Sequence, residues 1–257
     1  MHGEWAPKII TDLRQQTDYI NQLSMGKIPA IVIPKIFNKT RCQEIISRII
    51  SNHGFSSGLG LTRKIGESVN SYNSNKFEYF QNVKASNDNL KTIFSSDDPR
   101  CKMRECVTAL CGTNIEFAQE KTMPYSNGII RFHDPGTCVH IHRDHAVFEA
   151  PNFSISNLTG QMSAVLQLQA AESGGNLSVF NKFWTKSDEK FRNVDFGYSK
   201  NVVNQVPHTS IDCNQGDLII INPKKYHSIS MIKGRLQRIT LGFFFGRDID
   251  FKLYAWS

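Results

Sequence analysis

The pattern of hydrophobic and polar positions changes near residue 115. In the first part, apolar residues recur three and four positions apart, the spacing of one helical face. The run from Ile45 to Ile50 has this spacing, and Thr40 with Gln43 forms a capping box ahead of it. The pattern predicts helices over residues 8–23, 40–50 and 98–110, and a strand over residues 28–35.

The third of these helices has recognisable ends. Asp98-Pro99 combines an N-cap side chain with a proline suited to the first helical turn, and Gly112 ends the helix. Two Asn- and Ser-rich stretches, 68–76 and 85–100, lack a long apolar repeat and are interpreted as loops.

After residue 115 the pattern consists of short β-rich runs between Gly, Pro and Asn turns. The runs are IEFAQ, GIIRFH, TCVHIH, SAVLQLQ, NLSVF, DLIIIN, HSISMI and RITLGFFFG. Many short strands at close spacing predict a mainly β fold, a sandwich or jelly roll, with flanking helices. We predict one domain over residues 1–257, with a helical support and lid region over 1–114 and a β-core over 115–250.

The composition indicates the cellular compartment of this domain. The six cysteines include no C-x-x-C pair, so a cysteine-based zinc site is not expected. We expect free thiols in a reducing cytosol instead. The first residues lack the apolar region of a secretory signal, and no apolar run reaches the ~20 residues that span a bilayer. We therefore predict a cytoplasmic protein without a membrane partner.

The net charge of +7 permits an anionic partner without requiring one. The basic residues are thinly spread, and no interleaved basic and aromatic platform is present, so no nucleic acid is expected. The partner predicted instead is a small molecule.

A histidine cluster marks the candidate chemistry. Four histidines fall within the thirteen residues from His133 to His145, and one of them forms the motif His142-x-Asp144. Residues i and i+2 of a strand point to the same face, so this pair can reach one metal ion. His227, 85 residues after His142, begins a strand that follows the buried run LIIIN. Two histidines and a carboxylate form the facial triad of non-haem Fe(II) oxygenases.

A basic residue follows the proposed ligands. Arg238 lies 11 residues after His227, and Arg238-x-Thr240 places a guanidinium beside a hydroxyl on one strand face. Such a pair can bind a carboxylate through the planar fork of the arginine. An arginine that pairs with a structural acid at the sheet edge is the alternative.

These motifs together resemble the 2-oxoglutarate/Fe(II)-dependent oxygenase superfamily over roughly residues 120–246. The stretch FEAPNFSISNLTGQMSAVLQLQ with ESGGNLSVFNKFW is similar to small bacterial enzymes that hydroxylate or halogenate amino acids and natural products. The resemblance implies a double-stranded β-helix (jelly roll, cupin-like), with Fe(II), 2-oxoglutarate and O2 as cofactors. It also implies that Arg238 and Thr240 bind the distal carboxylate of 2-oxoglutarate.

The resemblance also sets an expectation for the reaction. The halogenases carry a small residue at the position of Asp144, which opens a place for chloride. Because Asp144 is present, oxidation of an unactivated C–H bond of an amino-acid-like metabolite is expected. The outcome is hydroxylation, or oxidative cleavage of a C–N bond, as in natural-product biosynthesis.

Five further residues are candidate contacts of the cosubstrate or substrate. Gln161 and Ser163 begin a central strand and could contact the cosubstrate. Arg131, Arg63 and His140 are candidates for the substrate, with Arg63 in a loop that could act as a lid.

Three alternatives remain for the motif. His140-x-His142-x-Asp144-His145 matches the H-x-H-x-D-H signature of dizinc hydrolases, although the expected Gly-Gly turn and helix do not follow it. A cupin-like metal-binding or isomerase protein would share the barrel without needing Arg238. A nucleic-acid demethylase would carry R-x-N-x-T-x-R after the distal histidine, where this chain reads RLQRITLGF.

Overall fold

Most helices precede residue 115 and most strands follow it, as the pattern of the sequence predicts. The computed structural model describes residues 5–14, 18–53, 62–72, 75–193 and 196–257. Its α-helices are α1 (Tyr19–Ser24), α2 (Lys39–His53), α3 (Lys76–Phe94), α4 (Pro99–Cys111) and α5 (Ala146–Glu149). Short 3-10 helices span Val69–Tyr72, Ser154–Asn157, Lys186–Phe191 and Lys200–Val203.

The strands of the N-terminal part and the first half of the core are β1 (Lys8–Ile9), β2 (Ala30–Ile33), β3 (Thr62–Ile65), β4 (Ile115–Phe117), β5 (Gln119–Glu120), β6 (Met123–Pro124), β7 (Ile129–His133) and β8 (Val139–His142). The remaining strands are β9 (Thr159–Gln169), β10 (Ser173–Gly174), β11 (Leu177–Phe183), β12 (His208–Ile211), β13 (Leu218–Ile221), β14 (Lys225–Ile229), β15 (Ile232–Lys233), β16 (Arg238–Arg247) and β17 (Leu253–Trp256).

Two sheets form the core of the described structure. The larger has the order β1-β2-β13-β9-β16-β17-β4, and β7 pairs with both β16 and β3. The smaller has the order β12-β11-β14-β8. Leu177 and Val179 of the smaller sheet pack with Ile219 and Ile221 of the larger one. The two sheets therefore face each other as a jelly roll, which is the predicted fold class.

Alternation along β13 explains why the larger sheet is buried on both faces. Ile219 and Ile221 point toward the smaller sheet, while Leu218 and Ile220 join a cluster with α2, α3 and α4. Successive side chains of a strand point to opposite faces, so a fully apolar run is what a doubly covered strand needs. Burial of each such side chain contributes about 1.5–3 kcal/mol.

The ends of α4 lie where the sequence predicts them. The Asp98 side chain accepts a hydrogen bond from the backbone N–H of Arg100, and Pro99 occupies the first turn. Gly112 closes the helix at a φ of 67°, in the left-handed region that glycine adopts without a steric penalty. Helix α2 also forms, but its cap is Asn38, which accepts from the N–H of Arg41, and Thr40 lies inside the helix.

Two predictions for the first half are wrong. Residues 85–94, interpreted as loop, are the second half of α3, because Val83, Leu90 and Ile93 supply a buried face that the polar Asn and Ser positions obscure. The helix predicted over 8–23 is reduced to α1, since Lys8–Ile9 instead pairs in parallel with β2. Residues 15–17 of that prediction lie outside the described residues.

Sheet pairing crosses the boundary proposed at residue 114. Strands β1, β2 and β3 belong to the larger sheet, and β17 extends it beyond residue 250. All six cysteines are free thiols, as predicted. No helix among the described residues is long and apolar enough to cross a membrane.

Candidate metal centre

Two histidines face each other across neighbouring strands of the smaller sheet. Strand β8 pairs antiparallel with β14, and the register sets His142 opposite His227. Their ring centroids are 4.1 Å apart. Opposed residues of an antiparallel pair lie on the same face of the sheet, and both residues line the cavity between the sheets.

Asp144 approaches these imidazoles from just beyond the end of β8. Its Oδ2 atom lies 3.5 Å from His227 Nε2 and 3.8 Å from His142 Nε2. His142 and Asp144 do not share one strand as predicted, because the strand ends at His142. A hydrogen bond of 2.8 Å from the backbone N–H of Asp144 to the carbonyl of Pro223 fixes the position instead.

Backbone carbonyls orient both imidazoles. His142 Nδ1 lies 2.8 Å from the carbonyl of His140, and His227 Nδ1 lies 2.9 Å from the carbonyl of Lys225. A neutral ring that donates from Nδ1 has its lone pair on Nε2. Metal-binding histidines are commonly held by such a hydrogen bond from their second nitrogen. The arrangement therefore turns both Nε2 atoms toward Asp144.

Electrostatics favour the protonation states that a metal requires. Burial, together with the neighbouring His227, lowers the pKa of His142 to about 4. Burial opposes ionisation of Asp144, but the hydrogen bond with His227 and the proximity of His142 outweigh it and lower its pKa to about 2. Metal ligands must be neutral imidazole and ionised carboxylate. One ligand atom from each residue lies within 4.8 Å of the others, so the three can hold one ion.

A cavity of about 510 Å³ opens beside this triad, between the sheets. Its far wall is built from β7 and β16, whose register pairs Arg238 with His133 and Thr240 with Arg131. All four of these side chains line the cavity. Paired residues lie on the same face, so the side chains of Arg131 and Arg238 belong to one wall of the cavity.

Two guanidinium groups lie in the cavity wall, that of Arg238 buried and that of Arg131 half-buried. Burial lowers the pKa of the Arg238 guanidinium, and Cys213 opposes that shift. The Nε atom of Arg238 is buried without a hydrogen-bond partner. Burial also lowers the pKa of Arg131, an effect that Asp144 opposes and Arg238 reinforces. A buried guanidinium with an unpartnered donor atom, such as that of Arg238, is suited to an anionic ligand.

The family model described as carrier-protein-independent halogenase WelO5 matches residues 4–257. The chain belongs to the WelO5 family. The match spans both the helical part and the β-core, so it covers the triad and the cavity wall together.

Curated relatives of this WelO5-family chain act in amino-acid and natural-product chemistry. The chain is 28% identical over 141 residues to leucinostatins biosynthesis cluster protein S of Purpureocillium lilacinum, covering 52% of this chain and 57% of the relative. It is 25% identical over 130 residues to L-gamma-glutamyl-L-propargylglycine hydroxylase of Streptantibioticus cattleyicolor, covering 51% and 48%. The chain thus spans about half the length of the curated relatives it matches.

Solved structures show the same fold. An N-substituted L-amino acid dioxygenase from Burkholderia ambifaria AMMD superposes with a TM-score of 0.66 at 14% identity, covering 96% of this chain and 92% of that one. HygX from Streptomyces hygroscopicus, with nickel and 2-oxoglutarate bound, gives a TM-score of 0.54 at 13% identity, covering 90% and 88%. The jelly-roll prediction is therefore confirmed.

In this member of the WelO5 family, three more of the residues singled out from sequence line the cavity. These are Arg131, His140 and Ser163. Ser163 pairs with Ile221 of β13 and lies on the larger sheet, across from the histidines. Their roles in binding stay predictions.

Two other candidates do not line the cavity. Gln161 accepts a hydrogen bond of 2.9 Å from the N–H of Ala146 and so supports the first turn of α5. Arg63, predicted in a lid loop, lies in β3 opposite Phe132, and its NH2 group is 3.3 Å from Asp134 Oδ1. The neighbouring Lys64 lines the cavity instead, because adjacent strand residues point to opposite faces.

Several residues at the cavity are not predicted from the sequence as parts of the site. His133 belongs to the histidine cluster and alternates with Arg131 in the run GIIRFH, so this alternation could have placed it at the cavity. Burial, with Arg238 and Arg131 nearby, lowers the pKa of His133 to about 3, so it contributes a neutral imidazole. Asn70 and Phe196 had no signal, since both lie far from the motifs in sequence.

The dizinc alternative lacks a second metal site in the part of the chain that is described. His142, Asp144 and His227 form the metal-ligand cluster found there, and neither His140 nor His145 joins a second one. A dizinc hydrolase needs ligands for both ions, and the described residues offer a cluster for one.

Proposed function

We propose that this protein is an Fe(II)- and 2-oxoglutarate-dependent dioxygenase that oxidises an unactivated C–H bond of a small amino-acid-derived molecule. The observation that carries the proposal is one cavity that is lined from both sheets. His142, Asp144 and His227 line it from the side of the smaller sheet, and the buried guanidinium of Arg238, with an unpartnered Nε, lines it from the larger sheet.

The triad would hold the metal. His142 and His227 present Nε2 and Asp144 presents Oδ2, and the donor set of two imidazoles and one carboxylate is typical of non-haem Fe(II). Together, Fe(II) and 2-oxoglutarate supply the activation of O2 that oxidises the substrate. The protein holds the metal ligands in their binding forms and shields the site from bulk water.

Arg238 and Thr240 would hold the distal carboxylate of 2-oxoglutarate. The guanidinium fork can bind both carboxylate oxygens, and the Thr240 hydroxyl lies on the same strand face two residues along. The buried Nε of Arg238 gains a partner when an anion binds, which removes the cost of an unsatisfied donor. Ser163 contributes a further hydroxyl on the adjoining strand β9.

Asp144 favours hydroxylation over halogenation within the WelO5 family. A halogenase needs an open metal position for the halide. Here the Asp144 carboxylate occupies the place beside both imidazoles. Hydroxylation, with cleavage of a C–N bond where the oxidised carbon bears nitrogen, is the proposed outcome.

Charge in the cavity favours a substrate with a carboxylate. Arg131, Arg238 and a divalent metal together exceed the charge of Asp144 and of doubly charged 2-oxoglutarate by one positive charge. Lys64, nearer the surface, shares its charge with Glu67 at 3.7 Å. Relatives named as acting on amino acids and a glutamyl dipeptide are consistent with this charge.

The experiment for the proposed function measures substrate-dependent succinate. The Fe(II)-loaded protein is supplied with 2-oxoglutarate, O2 and a panel of free, N-acylated and γ-glutamyl L-amino acids. The expected result is one succinate per product that has gained one oxygen atom. Succinate that never exceeds the substrate-free rate, for every panel member, contradicts the proposed substrate class.

Arg131 is proposed to bind the substrate carboxylate. Replacing Arg131 with leucine should raise the KM for the best panel substrate by roughly 10- to 150-fold, because the substrate carboxylate loses a hydrogen bond to a charged group. The affinity for 2-oxoglutarate should change little. On the primary amide of the same substrate, wild type and variant should be nearly equal. An equal loss of 2-oxoglutarate affinity would instead assign Arg131 to the cosubstrate.

A further inference from the structure

We infer that Asn70 is a positioning residue that restricts Asp144 to metal coordination through one oxygen. This inference rests on the proposed metal site, and it concerns a residue far from the histidine motifs in sequence. The relevant contacts join Asp144, Asn70 and Glu149.

The two carboxylate oxygens of Asp144 have different surroundings. Oδ2 lies on the side of the imidazoles, 3.5 Å from His227 Nε2. Oδ1 accepts a hydrogen bond of 3.4 Å from Asn70 Nδ2. A carboxylate whose second oxygen is held by an amide donor cannot rotate to present both oxygens to the metal without losing that bond.

Asn70 connects Asp144 to a second carboxyl group. The same Nδ2 atom lies 3.3 Å from Glu149 Oε2, so the two amide hydrogens serve two carboxyl groups. Asn70 belongs to the 3-10 helix Val69–Tyr72, which follows β3 and lines the cavity at this residue. The amide therefore links a segment of the N-terminal part to the metal side of the core.

Glu149 is a fixed anchor for this link. Its Oε2 accepts a hydrogen bond of 2.8 Å from the backbone N–H of His145, and its Oε1 lies 3.2 Å from Arg143 NH1. The Arg143 guanidinium in turn stacks 4.9 Å from the Phe148 ring and 4.7 Å from the Trp184 ring. Because both ends of Glu149 are held, Asn70 is held, and Asn70 transmits that rigidity to Asp144.

One-oxygen coordination has a chemical consequence. A metal with three single-atom protein ligands keeps three positions for cosubstrate and O2. An Asp144 carboxylate that binds through both oxygens would occupy one of these. Outer groups that orient metal ligands typically change metal affinity or activity by about 10- to 100-fold when they are removed.

The test measures Co(II) binding, which requires neither substrate nor turnover. Asn70→Ala and Asn70→Leu are titrated beside wild type, and the affinity and the d–d absorption of bound Co(II) are recorded. Leucine keeps the branched shape of asparagine without its hydrogen bonds. Tyr72→Phe is the matched control, since Tyr72 lies in the same 3-10 helix but bonds to Glu67 and Asn82.

Both Asn70 variants should bind Co(II) about 10- to 100-fold more weakly and show an altered d–d spectrum, while Tyr72→Phe resembles wild type. Wild-type affinity and spectrum in Asn70→Leu overturn the inference, because the shape of the side chain alone would then suffice. An equal loss in Tyr72→Phe also overturns it, because a loosened helix would explain the effect. If wild type itself binds no Co(II), the proposed metal site fails instead.

Discussion

Replacing His227 with alanine is expected to weaken metal binding by at least about 100-fold and to remove substrate-dependent succinate formation. Loss of a direct ligand should exceed the 10- to 100-fold effect typical of the groups that orient ligands. His227 is buried, lies opposite His142 in the register and has its Nδ1 held by the Lys225 carbonyl, so its removal takes away a ligand atom that the fold has oriented.

The measurement is Fe(II) or Co(II) affinity under anaerobic conditions, with unfolding temperature recorded with and without metal. Wild type should gain stability with metal, because a ligand that binds only the folded state stabilises it. His227→Ala should gain none. His208→Ala is the control, since His208 lies in β12 of the same sheet, is exposed and contacts Phe180. Equal metal binding by wild type and His227→Ala would exclude the triad.

Replacing Arg238 with leucine is expected to weaken 2-oxoglutarate binding by roughly 30- to 4,000-fold while leaving metal affinity near that of wild type. Removing one partner of a buried, hydrogen-bonded charge pair costs about 2–5 kcal/mol, and each 1.4 kcal/mol is tenfold in affinity. Arg238 is buried in the cavity wall, away from the ligand atoms, so the effect should fall on the cosubstrate alone.

The ligand-free Arg238→Leu protein should be no less stable than wild type. The Nε atom of Arg238 is buried without a partner, and an apolar side chain removes the cost of that unsatisfied donor. Arg235→Ala is the matched control, an exposed arginine three residues earlier. If Arg238→Leu binds 2-oxoglutarate as wild type does, the anchor lies elsewhere, and Arg131 becomes the next candidate.

The local patterns of the sequence predict much of this architecture. The β-rich runs after residue 115 form the two sheets, and the ends of α4 follow from Asp98-Pro99 and Gly112. The motifs that contain His142, Asp144, His227 and Arg238 meet at one cavity, because each is tied to a strand whose apolar alternation fixes its facing direction.

The sequence does not predict features of the site that depend on strand register or on contacts between distant residues. Whether Arg63 or Lys64 faces the cavity is decided by the pairing of β3 with β7, and a shift of one residue reverses the answer. Gln161 lies on the expected strand, but its side chain is taken by the N–H of Ala146. Asn70 contacts Asp144 across 74 residues of sequence, and no local spacing encodes such a contact.

Helix α3 could not be predicted from its local sequence either. Its polar Asn and Ser positions resemble a loop, and only the packing of Tyr79, Leu90 and Ile93 against the rest of the fold makes the segment helical. Tertiary burial outweighs intrinsic propensity in such a segment.

The most direct test of the account is an anaerobic titration of the Fe(II)-loaded protein with 2-oxoglutarate, followed by visible absorption. The account predicts a weak charge-transfer band that requires both Fe(II) and 2-oxoglutarate, saturates at one equivalent per chain and is absent from His227→Ala. In Arg238→Leu the band should form only at much higher 2-oxoglutarate concentrations. A protein that binds the metal at His142, Asp144 and His227 yet gives no band at any 2-oxoglutarate concentration would contradict the account and favour a cupin-like function.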